Sequence, residues 1–364
     1  VNWILVKIAN KKWPSIQVLD GGLFILAHSI CTKTGGDGMK KVLSIMVLVV
    51  LLTSLFSAEL VIYTSDSFAG GIARVVIPKF EKTYNCKVKL ISIGSMGDAL
   101  ARVVAEKKSP KADLIVGLSA EQLQMAISEG VLEKYRPVNS KNIVYKSLVN
   151  DYGTVYDYGA LAMIYNVEKI KNPPKTFKDL LSPEYKGKIV LIDPRTSSTG
   201  LTFLMWTIAA MGEDGAIQYW SKLKNNVLTF TSGWSAAFKM IETGEADMIV
   251  SYATDGAYSM YEYGAIKYMP IIFEEGAYLL EEYAAIVKGA KNKALARAFI
   301  EYMLTNEFQK EVPLNQWMMP VTNAELPEVF QKYVPKFKKV LKVDPNINSR
   351  LDEILKKWEK AVIG

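Results

Sequence analysis

Four aromatic side chains stand where structural elements begin or end. Trp234 precedes the predicted helix that carries Phe238 and Ile241 on one face, and Tyr252 ends the short apolar strand begun by Met248. Tyr258 falls in the predicted loop beyond, and Trp317 lies in the stretch Pro313 to Pro320, which has proline at both ends. In α/β units ligands bind at the ends of elements, whereas rings used only for packing belong in their middles. Tryptophan and tyrosine each offer a flat apolar face and one polar atom, which suits a planar, cationic, partly polar ligand. Stacking contributes about 0.5–1.5 kcal/mol per ring pair and a cation over a ring about 0.5–2 kcal/mol, against about 12 kcal/mol for nanomolar binding. Burial and hydrogen bonds must therefore supply the rest.

Two polar segments could provide them. Arg195-Thr-Ser-Ser-Thr-Gly200 runs into an apolar helix expected from Leu201 to Met211, so its hydroxyls and free backbone amides form a seat for an anion or a hydroxyl. Capping by Ser198 or Thr199 would account for the same residues. Asp66, in Thr64-Ser-Asp-Ser-Phe68, follows the first strand and could offset a positive charge or cap the next helix. The loop Gly94 to Asp98 resembles an anion-binding turn, with Asp98 equally suited to capping.

The elements that must position these groups alternate strand and helix. Strands are expected at Leu60 to Tyr63, Lys87 to Ile93 and Asp113 to Val116, and helices at Ile72 to Tyr84, with Pro78 inside, and at Asp98 to Glu106. That order predicts an α/β lobe with a largely parallel sheet. A long apolar strand follows at Tyr156 to Tyr165, then a turn at Pro173-Pro174. Tyr278 to Val287 reads as a second long apolar strand, and Lys293 to Leu304 as an amphipathic helix.

Met39 to Ala58 has a basic start, an apolar run and a small-x-small end, the pattern of a secretory signal peptide cleaved after Ala58. Residues 1–38 are then expected to be upstream sequence carried by an early start codon. They hold the single histidine, His28, and Cys31, so the exported chain would keep one thiol, Cys86, and could form no internal disulfide. It would also lack the usual general base and commonest metal ligand. Without residues 1–58 the net charge falls from +7 to about +3. No arginine-rich run or aromatic-basic interleaving points to nucleic acid, and about 300 residues suggest two domains.

Tyr63 to Phe68, Asp193 to Leu201, Trp234 to Tyr258 and Asn315 to Val321, in this order and spacing, resemble the thiamine-binding components of bacterial ABC importers. These are periplasmic solute-binding proteins of type II. The resemblance, from about Leu60 to the C-terminus, implies an α/β fold of two lobes, a hinge of two crossing strands and a cleft between the lobes. Residues 59–155 plus 284–325 would form the first lobe, and 156–283 plus 326–364 the second. It also implies a soluble periplasmic monomer that binds thiamine or its phosphates and delivers them to an inner-membrane permease driven by an ATPase. No catalytic residue, metal or cofactor is implied. The positions matching Trp234, Tyr252, Tyr258 and Trp317 line the family's thiamine site, with that of Tyr258 stacking on the pyrimidine, and Ser197 matches a further contact. Asp66 lies in a motif the family shares. The first lobe departs from the pattern at Ser65, Ile72 and Ser95, where the family commonly has two aromatics and an acid.

Ferric iron held by phenolates is the alternative ligand within the fold, nineteen tyrosines being present; polyamine or anion binding is a third. A secreted hydrolase is disfavoured by the lack of a nucleophile-elbow or zinc-binding motif.

Overall fold

The computed structural model describes residues 17–19, 22–24 and 58–364. The proposed signal peptide and nearly all of the upstream segment lie outside the described residues. Strands β1 (Gln17–Leu19) and β2 (Gly22–Phe24) form a separate antiparallel pair.

Residues 58–364 form one unit around a long mixed sheet. β3 (Glu59–Thr64) lies between β4 (Lys87–Ser92) and β5 (Leu114–Leu118), parallel to both. This is the parallel first half that the strand-helix alternation predicts, with helices Ala73–Tyr84 and Met96–Ala105 as its crossovers. β6 (Thr154–Asn166) is thirteen residues long and almost wholly buried, and its two ends serve different halves. β7 (Ile189–Ile192) lies parallel to β8 (Val227–Thr231) and β9 (Met248–Tyr252), and β9 and β10 (Tyr268–Ile271) pair with the C-terminal part of β6. β11 (Leu279–Ile286) and the two-residue β12 (Met319–Pro320) pair with its N-terminal part.

β11 also pairs with β5 through Tyr283 to Ile286. β6 and β11 are thus antiparallel neighbours that both cross between the halves, the hinge of a two-lobed α/β molecule. Strands long enough to serve both halves read in the sequence as unusually long apolar runs.

The helix Ser198–Met211 is apolar on all sides, and every residue from Ser198 to Ile208 is buried. Its Trp206 indole donates to the Gly276 carbonyl at 2.8 Å, and Trp220 donates to the Thr207 hydroxyl at 3.0 Å, so both buried N–H groups are satisfied. The C-terminal helix Leu351–Val362 places Leu351, Ile354, Trp358 and Val362 on one buried face, and Trp358 meets Trp220 edge-on at 5.7 Å. The last helix therefore packs on the second half of the sheet.

Two sequence expectations change. Trp234 is the first residue of its helix, Trp234–Thr243, rather than the residue before it. Tyr258 lies inside the helix Asp255–Tyr263, not in a loop, because Asp255 and Gly256 open a helix immediately after β9.

Candidate ligand-binding site

A cavity of about 100 Å³ lies between the lobes, and Trp234, Tyr252, Trp317, Ser197 and Asp66 all line it. An outer space of about 460 Å³ shares Asp66, Trp234 and Trp317 with the cavity and extends to Gly70, Gly71 and Arg74. Five of the six residues chosen from sequence are thus brought together.

Local contacts fix each ring. Trp234 donates its indole N–H to Ser251 Oγ at 2.9 Å and stacks on Phe238, one turn along its helix, with centroids 4.8 Å apart. Tyr252 ends β9 6.3 Å from the Trp234 ring, with its hydroxyl 2.9 Å from Thr199 Oγ1. Trp317 follows the short helix Val312–Gln316 in a left-handed conformation, φ 58°. The Thr254 hydroxyl donates to its carbonyl at 2.5 Å, and Phe330 stacks on its ring at 5.8 Å.

Tyr258 is the exception. Its ring meets Trp317 edge-on at 5.0 Å, and its hydroxyl donates to Glu242 at 3.3 Å. It is not among the residues described as lining the cavity, and it braces Trp317 from the edge.

Three helices of ten residues or more begin at the cavity. Ser197 is the N-cap of Ser198–Met211, accepting from the Gly200 amide at 3.5 Å, so the cap is Ser197 itself rather than Ser198 or Thr199. Ser95 caps Met96–Ala105, and its hydroxyl donates to Asp98 at 2.6 Å. The helix starting at Trp234 opens beside them. Their free amides can receive a hydroxyl or a phosphate oxygen. Asp66 opens the helix Asp66–Gly70 and accepts from the Ser92 hydroxyl. Across the gap, the Gly97 amide donates to the Thr196 carbonyl at 2.6 Å, joining the two lobes directly. The molecule is closed.

Sequence reasoning passed over two acids on the cavity wall. Asp255 follows β9, accepts from the Tyr252 amide at 3.1 Å, and is pushed up to about 6 by burial. Glu282 sits in β11 directly opposite Asp157 of β6. Tyr156 and Gln316 each donate to its Oε2 at 3.2 Å, and burial raises it above the ordinary carboxylate range. For Glu282 the available signal was the presence of acids inside the otherwise apolar crossing strands. With Asp66, three carboxyls line the cavity, and no lysine or arginine is among its described lining residues. Rings and acids together on its wall suit an organic cation.

Among the described residues, no cluster of three or more His, Cys, Asp and Glu side chains could hold a metal ion. No described helix is long and apolar enough to cross a membrane.

The family model described as bacterial extracellular solute-binding protein matches residues 109–338. The thiamine-binding periplasmic protein of Escherichia coli strain K12 is 33% identical over 305 residues, which cover 83% of this chain and 93% of that protein. The thiamine-binding periplasmic protein of Brucella melitensis biotype 1 is 36% identical over 293 residues, 79% of this chain and 86% of its own. A solved structure of a periplasmic thiamin binding protein superposes with a TM-score of 0.79 at 35% identity, covering 84% of this chain and 96% of that one. With two lobes closing on a ring-lined cavity, and with these matches across most of its length, the chain belongs to the bacterial extracellular solute-binding proteins.

Proposed function

We propose that this chain is the exported receptor of an ABC importer and that it closes its lobes on thiamine or a thiamine phosphate. The observation that carries this reading is the convergence of Trp234, Tyr252 and Trp317 with Asp66, Asp255 and Glu282 on one cavity with no basic residue among its described lining. Thiamine has a flat aminopyrimidine for the rings and a permanently charged thiazolium for the acids. The similar proteins that bear thiamine in their names support the same ligand.

Sites for ligands of this size commonly occupy about 300–1,000 Å³, so the 100 Å³ cavity alone is too small. The ligand would extend into the 460 Å³ outer space, where Arg74 is the only basic residue among the described lining. A phosphate or the hydroxyethyl group would lie there or at the three helix N-termini. The ferric alternative needs several phenolates on one ion, and Tyr252 is the only tyrosine among the residues described as lining the cavity. No reaction on the ligand is implied. The loaded receptor, a monomer, would hand thiamine to a membrane permease powered by its ATPase.

Titration with thiamine should quench tryptophan fluorescence saturably at micromolar concentration or below, since Trp234 and Trp317 both border the site. Absence of saturable quenching and of calorimetric heat, together with a visible phenolate-to-iron band on adding ferric citrate, would move the assignment to iron.

A further inference from the structure

We propose that Glu282 is the counter-ion of the ligand's positively charged ring, and that Asp157 behind it is the hydrogen-bond donor that positions it. This rests on the thiamine reading and names the residues that select for charge.

The two carboxyls face each other in register on the crossing strands, β6 and β11. The register shifts between Glu282 and Tyr283, a bulge of the kind that re-aims a side chain beside a site. Asp157 is 0% exposed and Glu282 6%. Neither Asp157 oxygen meets a donor among the described residues, and the carboxyl within its hydrogen-bonding reach is that of Glu282. Two carboxylates cannot hydrogen-bond each other, so one of them holds a proton.

The surroundings decide which. Glu282 receives Tyr156 and Gln316, both on Oε2, and donors of that kind stabilise the anion. Asp157 has no such donors, and burial raises it well above the carboxylate range. Asp157 is therefore the neutral acid, and its O–H completes a set of three donors to the Glu282 carboxylate.

The remaining groups facing the pair are Tyr156 from β6, Tyr252 from β9 and Asp255 from the helix that follows it, with Asp66 across the cavity. None is a cation. A carboxylate this deep normally pairs with a positive charge. Glu282 lines the cavity, and its Oε1 receives no hydrogen bond among those described. The missing charge is the one the ligand brings.

The test compares thiamine with its neutral thiophene isostere by calorimetry at about pH 7.5, then follows thiamine affinity from about pH 5.5 to 8. Removing one partner of a buried charge pair leaves the other charge buried and uncompensated. Glu282→Gln should therefore weaken thiamine by about thirtyfold or more and leave the isostere within about threefold. Asp157→Asn keeps a donor and should preserve both affinity and pH profile. Asp157→Val removes the donor, raises the Glu282 carboxyl and should move the loss of affinity to higher pH. Titration of the ligand's own pyrimidine is common to all variants and drops out of the comparison.

Equal weakening of both ligands by Glu282→Gln, or of neither, overturns the counter-ion, and an Asp157→Asn profile displaced like that of Asp157→Val overturns the positioning role. If Asp157→Val does not fold, Asp157→Asn decides the second point by its profile. Failure of the wild-type chain to bind thiamine would instead remove the functional reading itself.

Discussion

Trp317 adopts φ 58° and ψ 33°, a left-handed conformation that costs a residue with a Cβ about 1–2 kcal/mol. Glycine would avoid that cost but offers no ring. Strain of this kind persists where the surroundings over-determine it, and here Phe330 behind the ring, Tyr258 at its edge and Thr254 on its carbonyl hold it in place. Trp317→Ala and Trp317→Gly should both weaken ligand binding at least tenfold, because both remove the ring. Yet Trp317→Gly should be as stable as Trp317→Ala or more so, by up to about 1 kcal/mol, because only glycine relaxes the backbone. Denaturant unfolding of the two variants checks this, and a clearly less stable glycine variant would show that the conformation carries no strain. The rings at this site were legible in the sequence because aromatics at element ends have few purely structural reasons to be there. The acids were not, since Asp157 and Glu282 matter only through a register between strands about 120 residues apart. Tyr258 was misplaced for a local reason: Thr254-Asp-Gly reads as a turn, but after β9 it starts a helix.

At the scale of elements, one backbone approach draws the two lobes together across the cleft. The Gly97 amide reaches Thr196 across the cleft at 2.6 Å, and a Cβ on Gly97 would overlap that carbonyl. Gly97 lies in the first turn of Met96–Ala105, where its φ is an ordinary helical one, so alanine suits its backbone. Gly97→Ala should therefore fold normally but be unable to bring the helices capped by Ser95 and Ser197 together. Ligand affinity should fall at least tenfold, and small-angle scattering should show compaction on ligand binding for the wild type but not for this variant. Wild-type affinity in this variant would mean that the contact is incidental to closure. The elements themselves were legible because strand and helix alternate with clear periods, and most boundaries lie within two residues of the sequence reading. The sequence reading did not include β8 and β10, and it could not provide β12, two residues pairing with β6, because so short a strand carries no periodicity.

For the whole molecule, acids at the hinge make stability depend on pH in an unusual direction. Asp157, Glu282 and Asp255 are raised by burial, as is Glu281 on the same strand, which is pushed up to about 7. A carboxyl raised in the folded state binds more protons there than in the unfolded chain between its two pKa values. The unfolding free energy then declines as pH rises through that window. Surface acids shifted the other way, such as Glu353 beside Arg350 and Lys357, lose their contribution only below the ordinary carboxylate range and leave this window untouched. The ligand-free protein should therefore be less stable at pH 7.5 than at pH 5, by about 2 kcal/mol or a few degrees in Tm. A bound cation reverses the preference, because it favours the ionised acids, so the rise in Tm on adding thiamine should be larger at pH 7.5 than at pH 5. Calorimetry at the two pH values, with and without thiamine, measures both effects. A ligand-free Tm that is flat or rises from pH 5 to 7.5 would mean that water or neighbouring dipoles already solvate these carboxylates in the closed molecule. Asp157→Asn should flatten the slope, since an amide at the crossing of β6 and β11 has no proton to lose.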